Sequence, residues 1–355
     1  MSSDADRYRG MEDATAELQQ RLGICGLYNY GNTCYMNSAL QLLRAIPEWA
    51  AICESEEPAS QVKEKVATLY NAYASLTNKM NATKQPARCH PKNFIAAIRD
   101  AVEGTPWSEF SQGVPHDAHE FIMYLCDQLG MALHREPSMT AQEPEGWYAA
   151  VKADYSPILD ITTGLEKVTC TCLICGTAVN RWETFNMLKI PVHGINPETT
   201  VVDRLYEERG KPIIVDGYDC DTCRAAKSDD PDKKVKIERT ICRLPRILFL
   251  TLDRFADPSR KMNGVIAADA LREVSIVPVA AASTAAQQHP SLSYKYSPIG
   301  IIDHHGSLFG GHYNCQVSTP IGNWYMYDDE YVAPLPDGPQ FGHSTYIICM
   351  RARPV

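Results

Sequence analysis

The sequence predicts an α+β fold: a helical first part, a strand-rich second part and a cleft between them. Three observations carry this. Up to about residue 150, apolar residues recur at helical spacing. After residue 155, short apolar or alternating runs replace them. The two textures follow one another instead of interleaving, which separates α+β from α/β chains. The 355 residues are 45% hydrophobic, enough for one large core or two smaller ones.

Residues 1–22 read as a polar lead-in. Residues 34–46 form a helix whose apolar face is Met36, Ala39, Leu40 and Leu43, and Pro47 closes it. A second helix is expected over 61–80 (Val62, Val66, Leu69, Tyr70, Tyr73). A third is expected over 115–129. There Pro115 suits the first turn, Asp117 sits near the positive end, and Phe121, Ile122, Leu125 and Leu129 make the stripe. Residues 136–147 read as a loop. ILDIT, ILFLTL, PIGII, HYNCQV, NWYMY and TYIICM read as strands, several of them half-buried. Ser228–Lys236 is a charged loop and 280–290 a surface insertion.

Composition narrows the function. A net charge of −9 weighs against nucleic acid as a partner. No apolar run reaches 18 residues, so no membrane span is expected, and the polar, acidic start carries no secretory signal. The 13 cysteines are odd in number and dispersed, unlike a secreted disulfide scaffold. The expectation is a monomer in a reducing compartment, cytoplasm or nucleus, with thiols free or on metal.

The stretch NYGNTCYMNS (29–38) places a thiol at the mouth of the first helix. With Asn32 or Thr33 as cap, Cys34 lies in the first turn, where unpaired N–H groups and the dipole favour an anion. A thiol pKa of ~8.5 drops to roughly 3.5–7.5 in such settings, which predicts a thiolate nucleophile. Taken alone, a cysteine at a helix start is more often a buried structural residue. Two further motifs shift that balance. In DHHGSLFGGHYNCQV (303–317), Gly310 and Gly311 leave room for a ligand backbone, and His312 opens a strand that aims its ring. In NWYMYDDEYV (323–332), Asp328 and Asp329 end a strand that pairs with the first as a hairpin, Asp328 falling 16 residues after His312. A carboxylate there fixes the imidazole tautomer. Asn29, in the loop before Cys34, offers its amide to an oxyanion. Nucleophile, base and orienter together describe a cysteine hydrolase.

A second constellation is metal-like. Cys172-x-x-Cys175 and Cys220-x-x-Cys223 are two knuckles separated by 44 residues, suited to one tetrahedral, structural Zn²⁺. Cys170 stands near enough to compete for a place. No HExxH occurs, so a zinc-dependent hydrolase is not the reading.

These motifs resemble the ubiquitin-specific proteases, papain-like cysteine deubiquitinases. GLYNYGNTCYMNSALQLL (26–43) resembles the family's Cys box, HDAHEF (116–121) its acidic helix motif, and LPRILFLTLDRF (244–255) a core strand. GLEKVTCTCLICG followed by WETFNMLKIPV resembles the approach to the first zinc knuckle, a register that selects Cys172 and Cys175 over Cys170. HHGSLFGGHY and NWYMYDDEYV resemble the His box and its aspartate. Pro115 and His116 stand where the family usually has two glutamines, and Asp253 where lysine is common.

The resemblance implies a single catalytic domain over 23–353. It would have a thumb (about 24–150), fingers (about 155–245) and a palm (about 246–353). It implies cleavage of the isopeptide or peptide bond after the C-terminal glycine of ubiquitin on conjugated proteins or chains. Cys34 is then nucleophile, His312 base, Asp328 orienter, Asn29 oxyanion donor and Asp329 a second carboxylate. Asp117, Glu120, His116, Gly310, Gly311 and Tyr313 would meet the ubiquitin tail. An inactive ubiquitin-binding scaffold, and a protease for a ubiquitin-like modifier, stay open as alternatives.

Overall fold

The computed structural model describes residues 22–83, 86–137, 144–192, 200–226, 233–255, 260–265, 274–276, 294–307 and 310–353. The lead-in up to residue 21, residues 228–232 of the charged loop and the 280–290 insertion lie outside this set.

The first part is helical, with two short strands, β1 (Cys25–Leu27) and β2 (Ala87–Cys89), paired in parallel beneath it. Its helices are α1 (Cys34–Arg44), α2 (Pro47–Ser55), α3 (Glu64–Asn81), α4 (Lys92–Val102) and α5 (Ala118–Ala132). Two boundaries differ from the sequence reading. Pro47 ends nothing; it sits in the first turn of α2, where its missing N–H costs no bond. Pro115 precedes α5 altogether, because Asp117 caps it by accepting the His119 N–H at 2.7 Å. Helix α1 is buried on every side, not on one face. Its polar residues Asn37, Gln41 and Arg44 form a second stripe inside the protein, hydrogen-bonded except at Asn37 Oδ1 and one Arg44 terminal nitrogen. Gln41 donates to the Cys25 carbonyl at 2.9 Å, and Arg44 donates to Gln41 and Asn81 at 2.7 and 2.9 Å.

Two short helices follow, α6 (Trp147–Val151) and α7 (Pro157–Thr162). ILDIT is therefore helical, not a strand: Ser156 Oγ accepts the Leu159 N–H at 3.1 Å and Pro157 opens the turn. A four-stranded antiparallel sheet then runs β4 (Ala178–Phe185), β3 (Gly164–Cys172), β7 (Lys234–Arg243), β6 (Ile213–Asp216). Lys234 and Lys236, expected in a loop, belong to β7.

The eight-stranded sheet runs β13 (Tyr331–Leu335), β12 (Trp324–Asp328), β11 (Gly310–Ser318), β10 (Tyr294–Ser307), β14 (Thr345–Arg353), β8 (Ile247–Asp253), β5 (Met187–Pro191), with β9 (Val274–Ile276) beside β10. All pairs are antiparallel except β5 with β8. One face packs on α1 and the other helices: Ile247, Phe249, Ile302, Ile347 and Cys349 join that core. The opposite face holds a second core of Leu248, Leu250, Leu252, Ile301, Ile348 and Met350, under Leu205 of α8 (Val201–Arg209). Strands buried on both faces read as continuous apolar runs, so ILFLTL and TYIICM are central, not half-buried. A last helix, α9 (Asp221–Ala225), adjoins the small sheet. No helix among the described residues is long and apolar enough to cross a membrane.

Candidate active site

Cys34 is the first residue of α1, and Thr33 occupies the cap position. The Thr33 hydroxyl does not cap; it accepts the Tyr30 N–H at 3.0 Å and donates to Asn29 Oδ1 at 3.1 Å. The side chain thus braces the loop while the helix terminus stays open beneath the thiol. Asn32 and Gly31 turn the chain through positive φ, 55° and 80°.

Helix α1 packs against β11, the strand that carries His312 and Tyr313, and Tyr313 lines the same cleft as Cys34. Cys34 is 6% exposed. Burial pushes its thiol up, and the nearby Asp329 carboxylate adds to that. The backbone N–H groups of Tyr313, Tyr35 and Cys34 pull the other way. The helix terminus alone therefore does not make a thiolate, contrary to the expectation from the cap: desolvation outweighs it.

One residue before Tyr313, His312 bonds through Nε2 to Asp328 Oδ1 at 2.5 Å. The hairpin of β11 and β12 holds this pair in place, in register Cys315↔Tyr327. With Nε2–H on the carboxylate, Nδ1 is the basic nitrogen. Asp329 does something else. Its φ of 52° swings the chain away from Asp328, and its Oδ2 accepts from Asn29 Nδ2 at 2.8 Å. Its Oδ1 accepts from Asn37 Nδ2 at 2.7 Å, and its carbonyl accepts the Leu27 N–H at 2.8 Å. Asp329 is a staple between the Asn29–Cys34 loop and the sheet. Asn37 was missed by sequence reasoning; the available signal was a polar residue inside an otherwise apolar helix.

A cleft of ≈ 280 Å³ opens beside Cys34. His116, Asp117, Glu120, Gly310, Gly311 and Tyr313 all line it, as do Glu109, Phe255 and His304, which the sequence did not single out. Asp117 is engaged already, accepting the Tyr346 hydroxyl at 2.6 Å. Glu120 is exposed overall, and partial desolvation of its carboxyl against the cleft wall, then Asp117 and Glu109, push its pKa up. His116 Nε2 lies 2.8 Å from the Glu109 carbonyl, with its ring edge-on to Tyr35 and Phe110. A Cβ at Gly310 would enter open space, so that glycine leaves ligand room. At Gly311 it would strike the His305 carbonyl and the His304 ring, so that glycine serves the protein's own packing.

Far from this cleft, Cys172, Cys175, Cys220 and Cys223 bring their sulfurs within 4.8 Å of one another. Cys172 lies 3.7 Å from Cys223, and Cys175 lies 3.7 Å from Cys220. A tetrahedron of 2.3 Å metal–sulfur bonds has edges of about 3.8 Å, so the four thiols fit one tetrahedral ion. Cys170 is not in the cluster.

The family model for ubiquitin carboxyl-terminal hydrolase matches residues 25–349. Ubiquitin carboxyl-terminal hydrolase 2 of Rattus norvegicus is 26% identical over 347 residues, covering 90% of this chain and 53% of the rat protein. Ubiquitin carboxyl-terminal hydrolase Usp2 of Drosophila melanogaster is 25% identical over 362 residues, covering 97% of this chain and 36% of the fly protein. This chain thus spans about half or less of the length of these relatives. Among solved structures, the SAGA DUB module Ubp8/Sgf11/Sus1/Sgf73 bound to monoubiquitin superposes with a TM-score of 0.68 at 18% identity, covering 99% of this chain and 75% of that one. The same module bound to ubiquitin aldehyde gives 0.66 at 17% identity, with the same coverage. These likenesses establish the fold, a helical layer on a large sheet with a smaller sheet beside it. The chain belongs to the ubiquitin carboxyl-terminal hydrolase family.

Proposed function

We propose that this chain is a thiol-dependent hydrolase that cleaves the isopeptide or peptide bond after the C-terminal glycine of ubiquitin. The observation that carries the reading is the His312–Asp328 pair at 2.5 Å, set one residue from Tyr313, which lines the same cleft as Cys34. His312 Nδ1 takes the Cys34 proton, and Asp328 stabilises the imidazolium. The thiolate adds to the glycine carbonyl carbon. The second N–H of Asn29 Nδ2 and the Cys34 N–H receive the oxyanion. As the C–N bond breaks, the imidazolium gives its proton to the departing amine. Water, deprotonated by His312, then clears the thioester. Because burial opposes a lone thiolate, the charge exists only as a pair with the imidazolium.

The acidic cleft suits the arginines of the ubiquitin tail, with Glu120 and Glu109 more available than Asp117. The four-thiol cluster would hold a structural Zn²⁺, orienting a turn of the small sheet and taking no part in the chemistry. The domain reading is one unit over 23–353, with thumb, fingers and palm bounded near 150 and 245. The free thiols suit a monomer in cytoplasm or nucleus, checked by gel filtration and by fractionation of cells.

The test is hydrolysis of a fluorogenic ubiquitin C-terminal amide, compared with the same amide of ubiquitin-like modifiers. Preferential turnover of ubiquitin is expected. Binding of ubiquitin without turnover, or without reaction with a C-terminal electrophilic probe, points to a scaffold instead. Faster turnover of another modifier reassigns the substrate.

A further inference from the structure

The catalytic residues stand between two surfaces of opposite charge. The cleft beside Cys34 carries Glu109, Asp117 and Glu120. None of its lining residues comes from β1, β2 or β13, which meet on another side of Asn29 and Asp329. There Tyr28 stacks on His90 with centroids 4.1 Å apart and planes 8° from parallel. His90 Nδ1 lies 2.6 Å from the Tyr30 hydroxyl, and Lys92 Nζ stands 5.5 Å over the Tyr30 ring. The Arg88 guanidinium lies 5.3 Å over the ring of Tyr331, which is 63% exposed and three residues beyond Asp328. Arg88, His90 and Lys92 are exposed. Among the described residues neither Arg88 nor Lys92 pairs with a carboxylate: Asp329 is taken by Asn29 and Asn37, and Glu330 forms no ion pair with either.

This is a built surface, not loose charge. Rings hold both cations in place, which lowers the entropy lost when they bind an anion. It also continues directly from the oxyanion loop. An acyl chain held in the acidic cleft would direct the amine it is bonded to out of that cleft, and the Asn29 loop, flanked by Tyr28 and Tyr30, is next to Cys34 outside the cleft lining. We propose that Tyr30, Arg88, His90, Lys92 and Tyr331 dock an acidic segment of the protein whose lysine is joined to the cleaved carbonyl. The proposal rests on the hydrolase reading above. It makes the enzyme two-sided: a basic tail on the acyl side and an acidic flank on the leaving side.

The experiment uses ubiquitin joined by an isopeptide bond to peptides whose lysine is flanked by Asp/Glu or by Lys/Arg. The wild-type chain is expected to favour the acidic flank about three- to tenfold in kcat/KM at low salt, through KM, as fits two exposed pairs. The preference shrinks as salt rises. The double variant Arg88→Glu, Lys92→Glu is expected to abolish or reverse it. Rates on the fluorogenic ubiquitin amide, which has no protein leaving group, normalise each protein for folding. Turnover of that amide with no flank preference, or with a preference that the double variant keeps, overturns this docking shelf alone. A wild-type chain that turns over none of the substrates overturns the hydrolase reading and the shelf with it.

Discussion

The chain uses cysteine in two opposite ways, and the contrast shows what each site depends on. Cys34 is placed by contacts between segments remote in sequence: the start of α1, the N–H of Tyr313 and the staple of Asp329 on Asn29, 300 residues away. Its burial is met with hydrogen bonds that the protein supplies. The four thiols beside the small sheet come from two local knuckles; three are buried, and Cys175 is exposed with the Thr177 hydroxyl at 3.2 Å. Around them the edge strands are exposed: all four residues of β6 and the first four of β4. One region is held by packing; the other offers a four-thiol tetrahedron that a metal would close.

The largest effect expected is at the cleft. Cys34→Ala removes the nucleophile and lowers kcat by about 10⁶, roughly 8 kcal/mol, with ubiquitin affinity retained. Residual turnover near the wild-type rate, read with the fluorogenic amide, would show that another group attacks. Next comes the metal. About one equivalent of zinc is expected in the purified protein, and a chelator should remove several kcal/mol of stability, read as a lower unfolding midpoint. A metal-free protein, fully folded with four titratable thiols, breaks the contrast from the other side. Third is Asp329→Asn. Asparagine keeps the positive φ, so the turn survives, but one of the donors from Asn29 and Asn37 loses its acceptor. A fall of about 10- to 100-fold in kcat with KM nearly unchanged is expected. A KM effect alone would make the staple part of substrate binding.

How much of this was legible depends on whether the signal was local. Two CxxC pairs announce a metal site by spacing, and the structure gathers those four sulfurs and omits Cys170. His312 and Asp328 were legible as two strands of one hairpin. Asp117 was legible as an N-terminal residue, but Pro115 drew the helix start too early. ILDIT misled because β-branched composition resembles a strand, whereas Ser156 and Pro157 decide the local geometry. The roles of Asn37, Glu109 and His304 were not legible at all. Each depends on what lies opposite, and no spacing in the sequence encodes that. The same holds for Cys34: the helix start argued for a low pKa, and only the packed structure reveals the burial that opposes it.

His304 gives the smallest effect and the finest test of the contrast. The ring is 5% exposed, at the back of the cleft against Tyr313, with Lys261 Nζ 3.3 Å from its Nδ1. Burial, then Lys261, His305 and His312, pushes its pKa down from 6.5 to about 4. Between those values the unfolded chain binds a proton that the folded chain refuses. The stability linked to this ring is therefore complete above pH 6.5 and lost as pH falls through the window. Discounted for solvent, the loss is on the order of 1–2 kcal/mol. His304→Gln removes it, so the variant's unfolding midpoint should gain on the wild type's as the buffer is taken from pH 7 to pH 4. Any metal that the four thiols hold would be released by acid in both proteins, and that contribution cancels in the difference. A difference that stays flat with pH would mean that the fold accepts a charged His304. Charge would then be solvated inside the cleft, and the packed region would handle its buried groups no differently from the four-thiol region.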